Sequence, residues 1–378
     1  MRKYISYPCL LMAISLTVYS CIKDDTAGID IQKIRQGVQN ALLQIQTVQG
    51  VDMSIKTYSA RKPTVVPAGS NNALAQALKD AGDDGIVYLQ SGLHTETAPI
   101  DITKRVIILG EDGAILKIKT EVGFATAGVT PINAAIHVLN APKTIIQNVE
   151  IHPVDADGGT AVLFENSDLS AAMSCTFKQF QLSVVVEQSN QTCVIDNTIS
   201  GSTLWQTDNK GTLFGGILII NGKSSWISGN DVTNAFKGIF LSDKAGTVIR
   251  NKVRKGHGGY VLCSVHPNTI KLPKGGLTGS RTASSNWVVR NNESNDNLTA
   301  GYLIIDQANN NIIEGNTSTG NLLDYELAGK TYRIGGIEAL PSYSNYLEAN
   351  ATQSVKNCGN NNTVVGGILV NLKDSPCN

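Results

Sequence analysis

The sequence predicts an all-β fold, a right-handed parallel β-helix of about nine to ten coils with an N-terminal capping helix and an additional N-terminal amphipathic helix. Three observations predict it. Composition comes first: 36 glycines against only 6% aromatic residues, with many Asn, Ser and Thr, indicate short strands separated by turns. Next, Asn148, Asn197, Asn230, Asn251, Asn292, Asn316 and Asn350 align so that Ile145, Val194, Ile227, Val248, Val289, Ile313 and Leu347 lie three positions earlier, with Ala172 and Cys175 filling the coil that lacks the asparagine. Finally, a second column of strands runs in the same register: GILII (216–220), GIFLS (238–242), GYVLC (259–263), GYLII (301–305) and GIEAL (336–340). In such a stack, inward aliphatics superpose and side-chain amides hydrogen-bond from coil to coil. The asparagines are expected at left-handed corners, which only Asn and Gly occupy easily.

Along the chain, Arg2 and Lys3 precede an apolar stretch, Leu10 to Val18, that is short for a membrane span, so residues 1–20 read as a signal peptide and 21–28 as a tether. Residues 29–63 form a helix and linker, with Ile31, Ile34, Val38, Leu42, Ile45 and Val48 on one helical face. The β-helix takes residues 64–378. It opens on a short helix capped at Ser70 or Asn71, ending through Lys79, before the strand Ile86 to Leu89. Alternation turns Leu218, Ile220, Phe240, Val261, Leu303, Ile305 and Leu340 outward as an apolar stripe. The 29–48 helix, the long insertions (118–133, 201–214, 264–285, 321–334) or a second copy of the chain can cover it, the last giving a homo-oligomer.

The two columns make the chain resemble the right-handed β-helix proteins of the pectin-lyase-like superfamily, over roughly residues 65–375. Residues 18–21, Val-Tyr-Ser-Cys, resemble a lipobox with Cys21 as the lipidated residue. The following Ile22, Lys23, Asp24 and Asp25 resemble the export tag of Bacteroidetes surface lipoproteins. That resemblance implies an outer-membrane lipoprotein exposed at the cell surface, touching the membrane through its lipid anchor only. Five further cysteines remain beyond Cys9 and Cys21: Cys358 and Cys377 can close the C-terminal end, and Cys175, Cys193 and Cys263 read as buried thiols.

The chain has zero formal net charge, which gives no support to nucleic-acid binding. Locally the balance differs. Lys237, Lys244, Arg250, Lys252, Arg254, Lys255, Lys271, Lys274, Arg281 and Arg290 face Asp243 as the only acid between residues 237 and 290. Part of this segment is expected to form a basic face for an acidic polysaccharide, with Lys244, Lys271, Lys274 and Arg281 as contacts. Solvated outward positions are the competing reading.

His257, in KGHGGYVLCS, resembles the GHG element of polygalacturonases. The paired aspartates of that family would fall near Phe236 and Lys237, where there are none, so hydrolysis is disfavoured. A polysaccharide lyase needs only a base and a cation that neutralises the uronate carboxylate. His257 or Lys255 is the candidate base, and Lys237, Arg254 or Arg333 the neutralising group. A packed turn histidine competes with this, since His257 shares a column with Phe214, Phe236 and Ile334. Asp155 and Asp157 in HPVDADGG offer oxygen ligands for Ca²⁺, against an ordinary Asp/Gly turn. A non-catalytic adhesin or scaffold is the alternative to the glycan-binding or glycan-cleaving reading.

Overall fold

The computed structural model describes residues 29–53, 62–126, 129–207, 215–265, 269–275, 282–329, 333–334 and 337–370. Cys21, Arg281, Phe214 and Cys377 lie outside them. One 27-stranded sheet winds through nearly all strands, with every coil-to-coil pairing parallel. Crossovers between parallel strands are right-handed by rule. Three ladders result. The first runs through Val106–Gly110, Ile145–Gln147, Ala171–Met173 and Cys193–Ile195 to Ile312–Glu314. A second runs from Gly92–Glu96 through Thr198–Gly201, Asp231–Thr233 and Lys252–Arg254 to Thr317–Thr319. The third contains the Gly-Ile strands, from Ala134–Leu139 to Leu323–Leu327.

The interior is one continuous apolar column, including Ile217, Ile239, Val248, Val289 and Ile313, all fully buried. In the C-terminal coils Tyr260, Tyr302 and Tyr325 stack with centroids 4.7 and 4.9 Å apart. Their hydroxyls donate to backbone carbonyls of Asn251, Asn292 and Asn316, so the phenols stay satisfied inside the coil.

At the corner after the first ladder, Asn197, Asn230, Asn251, Asn292 and Asn316 form the amide ladder, each side-chain oxygen accepting from the backbone and side-chain amide of the asparagine one coil earlier. Cys175 takes the first rung. Asn148 is itself left-handed (φ 55°), as the sequence suggests, but it stands level with Ser174. From there on the left-handed residue is the one before the ladder position: Ser174, Asp196, Gly229, Arg250, Asn291 and Gly315. The turn absorbs the unusual φ outside while the amide points inward.

Two segments cover two different outer faces. Helix α1 (Ile31–Gln49), capped by Asp30, lays Ile34, Val38, Leu42 and Ile45 on the first ladder against Ile107, Ile145, Met173 and Ile195. It therefore does not cover the stripe of the third ladder. Helix α2 (Leu74–Ala81) closes the N-terminal end of the interior through Leu74 and Ala77, its first turn bound by the Glu96 carboxylate.

The insertions cover the stripe: Ile132, Val265, Ile270 and Leu272 pack on Leu163, Leu218, Ile220, Phe240, Val261 and Leu303. Leu340 remains partly exposed. Ile270 and Lys271 pair with Thr130 and Pro131, joining insertions from distant coils, and Lys274 reaches Asp101 at 2.5 Å. The stripe is thus filled from the same chain, which removes the reason to invoke a second copy there. Cys263 lies buried beneath this cover. Replacing Leu272 by Ser should raise the reactivity of Cys263 toward a thiol reagent and leave Cys175 and Cys193 protected. Equal protection of all three would show that Leu272 does not hold the cover. Cys358 is disulfide-bonded, its partner outside the described residues.

Candidate functional site

The corner between the second and third ladders carries the one described cluster that joins aromatic rings to an unpaired cation. The register of the second ladder (Asp231, Lys252, Glu293 and Thr317 in one row) places Phe236, His257, Leu298 and Leu322 above one another. Amide contacts along the corner confirm that row: Gly256 N donates to Asn297 Oδ1, Asn297 N to Asn321 Oδ1, and His257 N to Ala235 O. His257 stacks on Phe236 at 4.4 Å and 29°, and meets Trp205 edge-on at 6.2 Å. Trp205 stands on a short 3₁₀ turn, Leu204–Gln206, where its indole N–H donates to Asn234 O.

Lys237 opens its strand next to Phe236, and its Nζ lies 4.7 Å from the Phe240 ring centroid, a cation–π arrangement. No carboxylate pairs with it among the described residues; the Cys263 thiol is the one titratable group that acts on it, in the raising direction. Burial pushes the amine below the ordinary lysine range, because removing an ammonium from water penalises its charge. His257 is lowered too, first by burial and then by the charge of Lys237, so the imidazole is neutral at pH 7. The corner thus pairs a neutral base with an uncompensated cation against an aromatic wall.

The other predicted residues go elsewhere. Arg254 is held by Asp231 at 2.6 Å on the outer face of the second ladder, and Lys252 by Glu293 at 2.9 Å. Lys255 sits at the same corner as His257, exposed at φ 55°. For Arg333 only the backbone is described; it pairs antiparallel with Glu338 in a small hairpin. Lys244 and Lys271 are solvated, and Lys274 is spent on Asp101. The basic segment is therefore divided among three faces rather than gathered on one. Asp155 forms an ion pair with Lys119 at 3.3 Å, and no group of three metal-ligating side chains converges among the described residues, Asp157 included.

A second cluster, which the sequence did not reveal, lies at the far edge of the stripe. His137 is buried between Glu165 (2.8 Å) and Asp101 (3.3 Å). Glu187 and Asp243 are fully buried nearby. Glu187 accepts from the Asn221 amide, and Asp243 from the Lys244 backbone. Burial raises both carboxyls to about 7, with charge repulsion from Glu165 adding to Glu187 and repulsion from Glu187 adding to Asp243. They are closed to a polymeric ligand. No local sequence pattern distinguishes these acids from solvated ones; burial by a distant insertion makes them unusual.

Residues 100–272 match the family model described as periplasmic copper-binding protein (NosD), under half of the chain. Among the described residues the donors do not gather into a copper centre: both His137 nitrogens face carboxylates, while Cys175, Cys193 and Cys263 lie in three separate apolar clusters. No curated protein sequence matches the chain. Among solved structures, an alginate lyase from Paenibacillus sp. is 10% identical and aligns over 68% of this chain and 96% of its own (TM-score 0.39). A family 28 exopolygalacturonase from Yersinia enterocolitica is 12% identical over 84% and 67% (0.47), and an endo-xylogalacturonan hydrolase from Aspergillus tubingensis 10% over 82% and 92% (0.46). At such identities these are likenesses of fold alone.

Proposed function

Starting from a right-handed parallel β-helix of the pectin-lyase-like superfamily, we propose that the corner formed by Trp205, Phe236, Lys237 and His257 binds an acidic, uronate-bearing polysaccharide and cleaves it by β-elimination. The observation that carries this reading is Lys237, a desolvated ammonium over Phe240 with no counter-ion among the described residues. A ligand carboxylate would return the charge balance that burial removes, and the aromatic wall would take the apolar face of a sugar ring. In an elimination, neutral His257 accepts the C5 proton while Lys237 stabilises the carboxylate side of the developing carbanion. The C4–O bond then breaks as the C4=C5 double bond forms, and the departing oxygen takes a proton from water, leaving an unsaturated uronate on one fragment and a new reducing end on the other. The same reading keeps the protein at the cell surface through lipidated Cys21, which metabolic labelling with a fatty-acid analogue would test against Cys21→Ala.

With uronate polysaccharides, wild type should give unsaturated products, and His257→Ala should lose them while retaining binding. Lys237→Met should weaken binding by about tenfold or more and flatten its salt dependence. The rate should rise with pH through the lowered His257 pKa and reach a plateau by neutrality, because the base works deprotonated. Binding without product in wild type would make the chain a glycan-binding protein and remove the catalytic role of His257. No binding on a broad uronate panel would overturn the reading.

A further inference from the structure

The aromatic corner does not stop at His257. The same row continues through Leu298 and Leu322, which are 63% and 73% exposed, the latter the most exposed large apolar side chain among the described residues. From Phe236 to Leu322 the row climbs three coil steps, ~14 Å at about 4.8 Å per step. A lengthwise apolar ridge of this kind is unusual on a soluble surface, where exposed leucines are ordinarily scattered.

Its flanks are polar. On one side stand Thr233, Arg254, Asn295 and Thr319, the outward residues of the second ladder, with Thr319 donating to Asn295 at 2.8 Å. The left-handed residues Asn234, Lys255, Asp296 and Gly320 lie between that row and the ridge. Lys255 is exposed at the level of His257, whereas Asp296 follows one coil later.

We propose that the ridge is an extended track for the same polysaccharide, which lies lengthwise along the solenoid axis. The apolar faces of its sugar rings rest on Phe236, His257, Leu298 and Leu322, and its hydroxyls face the Thr, Asn and Arg row. This rests on the glycan reading of the corner and adds a direction and a charge pattern. The acidic sugar sits at the His257 coil, between Lys237 and Lys255; Asp296 disfavours a second carboxylate on the next coil, so the units over Leu298 and Leu322 are uncharged or turn their acids away. The occupant is a glycan because the ridge is continuous with Lys237 and is bordered by hydrogen-bonding side chains, Thr233, Arg254, Asn295 and Thr319, along its length. A protein partner would be expected to meet a broader apolar patch.

The test is calorimetric binding of uronate oligosaccharides of increasing length, from disaccharide to hexasaccharide, to wild type and to a Leu298→Ser/Leu322→Ser double variant. Both positions are solvent-exposed, and an unchanged melting temperature verifies the fold. Wild type should gain about tenfold or more in affinity with length, and the double variant should lose that gain while binding the disaccharide as before. Wild-type affinity independent of length, or a gain that survives the double substitution, overturns the track. Concentration-dependent self-association that the double variant abolishes, without any length effect, also overturns it and assigns the ridge to a second copy. Failure of wild type to bind even the disaccharide points instead to the corner reading itself.

Discussion

Raising the pH from about 5 to about 8 should lower the free energy of unfolding by roughly 3–5 kcal/mol, with Glu187 and Asp243 as the main source. Both carboxyls are raised to about 7 in the folded chain by burial, whereas in the unfolded chain they ionise near 4. The folded state therefore holds protons that the unfolded state releases, and stability is fully present below about pH 4 and lost as pH rises toward about 7. The groups facing them do not reverse the sign. Asn221 lowers Glu187, and Lys244 and Ser225 lower Asp243, but Glu165 raises Glu187 and Glu187 raises Asp243. Glu150 works in the opposite sense, lowered by its bond to Lys178, and as a partly exposed group it contributes little. Denaturant titrations across this range should show the fall, and Glu187→Gln should remove about half of it. A flat profile, or an unchanged slope in the variant, would mean that these acids are not protonated in the fold.

Truncating the centre of the amide ladder should be nearly as damaging. Asn251 accepts from Asn230 N at 3.0 Å and from its side-chain amide at 2.8 Å, and it donates to Ile227 O, Ile249 O and Asn292 Oδ1. Asn251→Ala leaves those buried groups without partners, each costing about 1–3 kcal/mol, so a total near 3–5 kcal/mol is expected after relaxation. Asn350→Ala, an exposed position beyond the continuous ladder, should stay within about 0.5 kcal/mol. Comparable urea midpoints for the two variants would show that the ladder is not a major source of stability.

Much of this architecture is written in period and alternation. Asn230, Asn251 and Asn292 announce their stacking because an amide at a repeated bend has one economical use, and Ile217 with Ile239 announces the inward face. The offset by one residue of the left-handed corner was not legible, since Asp196 and Arg250 carry no local mark of positive φ. Nor was the identity of each cover. The apolar face of α1 suits either outer sheet, and the pairing of Ile270 with Thr130 is a single long-range contact outside any repeat. The site was legible in part: His257 and Lys237 stand out by residue type and come together, whereas Arg254 is claimed by Asp231, a partner visible only once the register is known. Leu298 and Leu322 were unremarkable until their exposure placed them on the ridge.

A solenoid whose coils touch only their neighbours can fray from either end, each coil opening almost independently. The bridge between residues 130–131 and 270–271, together with the Lys274 to Asp101 contact, forbids that in the N-terminal two thirds of this molecule. Coils early and late in the winding are clasped like the covers of a closed book, and none between them can open without releasing the clasp. Unfolding of that region should accordingly be a single event, and a force applied along the axis should meet one barrier there instead of a series of small ones.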